Sequence, residues 1–101
     1  MSATPTLLYR GAASTTTTTT LYTVPLATTT IVNSVMVSNT DSVARTFTMS
    51  FGGTQWANAV SVAANSVIVF DFKQVLNTTN TIQGGASATT VTFSISGVEV
   101  A

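Results

Sequence analysis

Six side chains carry all the formal charge of this chain: Asp41, Asp71 and Glu99 against Arg10, Arg45 and Lys73. There is no His and no Cys. A Ser–His–Asp relay therefore cannot be assembled, and disulfides and thiolate or imidazole metal sites are excluded. General acid–base catalysis needs two titratable groups held together in a cleft. The three carboxylates fall in a turn, a strand and the C-terminal segment, and their spacing does nothing to bring them together. Asp71 and Lys73 lie two residues apart, on one strand face if the strand lasts that far. Gly52-Gly53 and Gly84-Gly85 lack the helix and lysine that follow a phosphate-cradling loop, so both read as turns. The expectation is a protein with no catalytic residues, no cofactor and no metal.

Binding chemistry is sparse as well. Trp56 is the one tryptophan. A strand aromatic most often belongs to a core, but polar Gln55 and Asn58 beside it leave open a place at a contact rim or ligand platform. Tyr9 and Tyr22 read the same way. The six consecutive threonines, Thr15 to Thr20, do not make an ice-binding ladder, because neighbours in one strand face opposite ways. Asn77-Thr78-Thr79 matches the glycosylation sequon, a triplet expected by chance in a chain so rich in Asn and Thr.

Only 6% of residues are charged, against about 25% in an ordinary soluble domain. Net charge is zero, so little self-repulsion opposes association, and Thr and Ser hydroxyls must do most of the solvation. Three scattered cations cannot form the basic stripe that nucleic-acid binding depends on. Val67-Ile68-Val69-Phe70 is far shorter than the roughly 20 apolar residues of a spanning helix. No basic region followed by an apolar core opens the sequence, so no secretion leader is expected. Synthesis in the cytoplasm fits the lack of Cys.

At 101 residues the chain has room for one core. Its elements read as strands. Phe47, Met49 and Phe51 alternate with Thr46, Thr48 and Ser50, and Val91, Phe93 and Ile95 with Thr92, Ser94 and Ser96. Asn39 to Ser42 supplies turn chemistry between a strand at 29–38 and the one at 46–51. In 29–38 the alternation is imperfect, since Val32 and Val35 fall on opposite faces. Gly52-Gly53 signals a two-residue hairpin, and Thr54 to Val62 is the returning strand. In 67–72, Ile68, Phe70 and Phe72 are chosen for the core, with Val67, Val69 and Asp71 outside. Residues 73–76 read as one helical turn, 77–80 as a loop, 81–83 as a short strand and 84–87 as a loop. Residues 1–20 read as a polar arm with a short strand at Leu7-Leu8-Tyr9 and a Thr-rich linker, leaving 21–101 as the domain. Seven or eight short strands with frequent turn signals predict an all-β fold, a single antiparallel β-sandwich of immunoglobulin-like or jelly-roll kind.

The chain also resembles a family of small virion proteins of tailed bacteriophages. The resemblance lies in LLYRGAAS at Leu7 to Ser14, LYTVP at Leu21 to Pro25, and TTTIVNSVMVSNT at Thr28 to Thr40. It continues in VAANSVIVFDFKQVLN at Val62 to Asn77, TIQGGAS at Thr81 to Ser87 and FSISGVEV at Phe93 to Val100. Where related chains carry an N-P-G-D-like turn, this one has Asn77-Thr78-Thr79-Asn80. These are structural motifs and point to no catalytic residue. The resemblance implies a β-sandwich virion component of head-decoration, head-fibre or tail-associated type. The expectation is a homo-oligomeric capsid decoration subunit on the virion surface, with other copies of itself and major capsid or tail proteins as partners. Its contact residues would be Leu7, Leu8, Tyr9, Val67 and Val69. The alternative is a tail-tip or tail-fibre module binding a host-surface receptor or glycan through Trp56 and the loops at 52–58 and 77–87.

Overall fold

Thr, Val, Ile and Phe at alternating positions favour extended backbone with one face buried, and the chain uses them so almost throughout. The computed structural model describes residues 3–101, with Phe72 described by its backbone alone. Eight strands are present among them: β1 (Ala3–Ala12), β2 (Thr20–Thr23), β3 (Thr29–Asn39), β4 (Arg45–Phe51), β5 (Thr54–Val62), β6 (Ser66–Leu76), β7 (Thr81–Ala86) and β8 (Val91–Val100). They form two four-stranded sheets in the orders β1-β8-β3-β6 and β2-β7-β4-β5. All neighbours are antiparallel. The pairs β1–β8, β2–β7, β3–β6 and β4–β5 are those of one long hairpin, bent at the β4–β5 turn and rolled up. That winding is a jelly roll, and it decides between the two expected sandwiches.

The core lies between the sheets. Phe47 and Met49 of β4, Phe93 and Ile95 of β8, Val35 and Val37 of β3 and Ile82 of β7 are all fully buried. At about 1.5–3 kcal/mol for each large apolar side chain removed from water, these residues dominate the stabilisation. Gly52 and Gly53 have φ of 56° and 84°, and Phe51 pairs with Thr54 across them. The expected two-residue hairpin is present, and positive φ at both central residues makes its turn type I′. Asn39 is buried, and its amide donates to the carbonyls of Val43, Val62 and Ala63 while its Oδ1 accepts from the Asp41 N–H. That one side chain thus ties the turn after β3 to the end of β5.

Several expectations are corrected. The imperfect alternation of β3 is a register shift between Val32 and Ser34, where Asn33 adds a residue relative to β8. A bulge turns the following residues over, so Val32 and Val35 both point inward. Residues 73–76 form no helical turn, because β6 runs on to Leu76 paired with Thr30. Ile68 and Phe70 do pack on the core, while the expectation for Phe72 lies outside the described side chains. Gly84 and Gly85 are strand, not loop: both sit buried in β7. A Cβ on Gly85 would lie 2.4 Å from the Thr16 carbonyl oxygen and 2.8 Å from that of Ser14. The threonine run crosses directly over β7 there, held by Ala86 N–H to Ser14 O and Gly84 N–H to Thr19 O. The polar residues read as an arm pair with β8 from Ala3 onward, as an edge strand of the first sheet.

Candidate functional site

The charged residues are dispersed. Asp41 and Arg45 pair at 2.7 Å within the β3–β4 turn, and the guanidinium holds the Asp41 carboxyl below its ordinary range. Asp71 and Lys73 flank the β6 bulge, and no ion pair joins them among the described residues. Glu99 lies not in a loose tail but in β8, where its carboxylate accepts from the Tyr22 hydroxyl and from Thr6 Oγ1 at 3.4 Å. Tyr22 also contacts Thr30 Oγ1 at 2.8 Å. This cluster ties β2 of one sheet to β1, β3 and β8 of the other. Burial, then the bond to Glu99, pushes the Tyr22 hydroxyl up to about 12.

Cross-strand register builds the outer face of the first sheet row by row. Val75, Ile31, Val98 and Pro5 stand side by side on β6, β3, β8 and β1. The parallel row Asp71, Ser34, Ser96 and Leu7 carries a serine–serine hydrogen bond of 2.9 Å at its centre. Next come Val69, Met36, Ser94 and Arg10, then Val67, Ser38 and Thr92. Val67, Val69 and Val75 are 57%, 61% and 61% exposed, and Met36 and Leu7 are exposed as well. The face is therefore a hydroxyl-lined middle with an apolar band along β6 and an apolar row across one end. A shallow depression of about 480 Å³ lies over β1 and β8, bordered by Leu7, Arg10, Asn33 and Val98.

Of the expected contact residues, Leu7, Val67 and Val69 thus lie on one surface. Leu8 does not: β1 has an extra residue between Leu7 and Tyr9, and the bulge turns Leu8 into the core at 7% exposure. Tyr9 is half-buried, with its hydroxyl donating to the Ala12 carbonyl. No sequence signal separates Leu7 from Leu8. Met36, Ile31 and Val98 were missed as surface residues because single-strand alternation does not reveal which rows align.

Trp56 lies on β5, the edge strand of the second sheet, beside the β6 edge of the first. Met49 pairs with Ala57 and Ser50 with Gln55, so Trp56 is the extra residue of a bulge. A second shift lies between Phe47 and Met49, near Ala59, whose φ is 49° and whose N–H donates to Thr48 Oγ1. Phe47, Phe70 and Phe51 surround the indole at centroid distances of 6.2, 5.2 and 5.4 Å. Trp56 also lines a groove of about 310 Å³ between the edges of β5 and β6, with Phe51, Thr54, Gln74, Leu76 and Asn80. From the two expected loops the groove takes Gly52, Thr54, Trp56 and Asn80, whereas 84–86 are buried strand. Asn80 closes the 77–80 turn, accepting the Asn77 N–H on its Oδ1 at 2.9 Å.

No protein-family model matches the chain, and no curated protein matches it in sequence.

Proposed function

We propose that the protein is a non-enzymatic structural subunit of a bacteriophage virion, decorating and stabilising the capsid through contacts with other copies of itself and with the major capsid protein. The observation that carries this reading is the outer face of the first sheet. Four aligned apolar residues cross it from Pro5 to Val75, and beyond the row of Asp71, Ser34, Ser96 and Leu7 a second apolar patch presents Val67 and Val69 of β6 with Met36 of β3. Exposed apolar patches grouped on one face of a small domain mark a place where another molecule sits. With 6% charged residues and zero net charge, nothing on the long-range scale resists that contact. The action is adhesive: apolar surface is removed from water at each subunit junction, while hydroxyls between the patches pair as Ser34–Ser96 and Ser38–Thr92.

Recognition of a host-surface glycan by a tail-tip or fibre module is the second reading, and the groove beside Trp56 is what favours it. Copy number separates the two. Quantitative mass spectrometry of purified particles should find hundreds of copies distributed over the head if the protein decorates the capsid. A few copies confined to the tail tip would favour recognition, and absence from particles would overturn both.

A further inference from the structure

We infer that the groove between the edges of β5 and β6 is a saccharide site that takes an uncharged pyranose ring. The inference rests on the second reading above and deepens it by naming the ligand class; it is separate from the assembly reading, since the groove shares only Val75 with the outer apolar rows.

The lining sets the ligand class. Phe51, Trp56 and Leu76 form an apolar wall, and Thr54, Gln74 and Asn80 add a hydroxyl and two carboxamides. Among the described residues no ionisable side chain lines it, so a charged ligand would lose hydration with nothing to replace it. A wholly apolar ligand would leave the carboxamides without partners. A sugar ring matches both halves, with C–H patches for the aromatic wall and hydroxyls for the amides. Asn80 Oδ1 is already engaged by the Asn77 N–H, which leaves its amide hydrogens to donate. At about 310 Å³ the groove suits one ring and its substituents rather than a long chain.

The backbone supports the same choice. A bulge adds Trp56 to β5, and β6 has one residue more than β3 between the pairs Ser34–Asp71 and Val32–Gln74. Bulges re-aim side chains and break the regular run of edge hydrogen bonds. An extended peptide therefore cannot add here as a further strand, while Trp56 is turned to the groove. Phe47 and Phe70 meet the indole edge-on, so little side-chain ordering remains to be done on binding.

Trp56 is the sole tryptophan and reports on its own site. Titration of the purified protein with glucose, galactose, mannose and N-acetylglucosamine, and with N-acetylneuraminic acid as the charged probe, should give a saturable change in tryptophan emission with at least one neutral sugar, and none with the acid. Gln74 is exposed on an edge strand, so Gln74→Ala should fold as wild type and weaken that response by about 5-fold, the effect of one lost hydrogen bond. Val67 lies at the other end of β6, and V67K/V69K should keep the sugar response whatever it does to assembly. No response to any neutral sugar, an unchanged response in Gln74→Ala, or preference for the acidic sugar overturns the assignment.

Discussion

Replacing Val67 and Val69 by lysine tests the adhesive face directly. Both side chains stand on the outer face of β6, 57% and 61% exposed. Fully burying a valine is worth about 1.5–3 kcal/mol, so covering the exposed part of each contributes about 1 kcal/mol and the pair about 2 kcal/mol. Lysine removes that gain and sets two like charges on the face. The expected result is a dissociation constant raised by about 30-fold or more per junction, since 1.4 kcal/mol is tenfold. Folding should be spared, because exposed substitutions away from special features change stability by only about 0.5 kcal/mol. Sedimentation velocity over a concentration series, beside circular dichroism and urea unfolding, separates the two effects. A double variant that associates as wild type does, or a wild type that stays monomeric at high concentration, refutes the reasoning.

Other outcomes follow from the interior. Gly97→Ala would bring a Cβ to 2.2 Å from the Ile31 carbonyl oxygen, and urea unfolding should show a loss of about 3 kcal/mol or more, at the upper end of overpacking effects. Gly53→Ala meets nothing within 4 Å and should cost only about 1–2 kcal/mol through its left-handed backbone; equal losses at the two sites would contradict the close approach of β3 to β8. Phe47→Ala should lose about 3–5 kcal/mol in the same assay, as buried phenylalanines do, because Phe47 is 1% exposed and touches the rings of Trp56, Phe70 and Phe93. Tyr22 has its folded pKa raised from 10.0 to about 12. Above pH 10 the unfolded chain gives up this proton while the folded chain keeps it, so the contribution is whole below pH 10 and is lost as pH rises toward 12. Alkaline unfolding curves of Tyr22→Phe should lack that loss.

Much of this architecture was legible wherever one strand face alone decides burial. Phe47 and Met49, or Phe93 and Ile95, cannot alternate with Thr and Ser for any purpose but a half-buried sheet. Gly52-Gly53 and the Asn39 turn were legible because their chemistry is local. What escaped was set by neighbours distant in sequence. A paired glycine means a turn when positive φ is needed, but Gly84-Gly85 answers a different need, room for the backbone of Ser14 and Thr16. The bulge at Asn33 shows in the sequence only as a broken alternation, and those at Leu8 and Trp56 leave no mark in the one-strand pattern, since bulges arise from mismatched lengths of two partners. The outer face was half visible for the same reason: Val67 and Val69 declare themselves as outward residues, whereas the row from Pro5 to Val75 exists only once four strands are in register.

The pairing of β1 with β8, from Ala3 against Val100 to Ala12 against Thr92, governs how the chain can reach this state. During synthesis β1 has no sheet neighbour until β8, Val91–Val100, has left the ribosome. Contacts of such sequence separation make for slow folding, and the waiting edge, with Leu7 upon it, is sticky meanwhile. Removing β8 would take the middle out of the first sheet, leaving β1 unpaired and cut off from the β3–β6 pair, so loss of β8 should abolish folding as a whole.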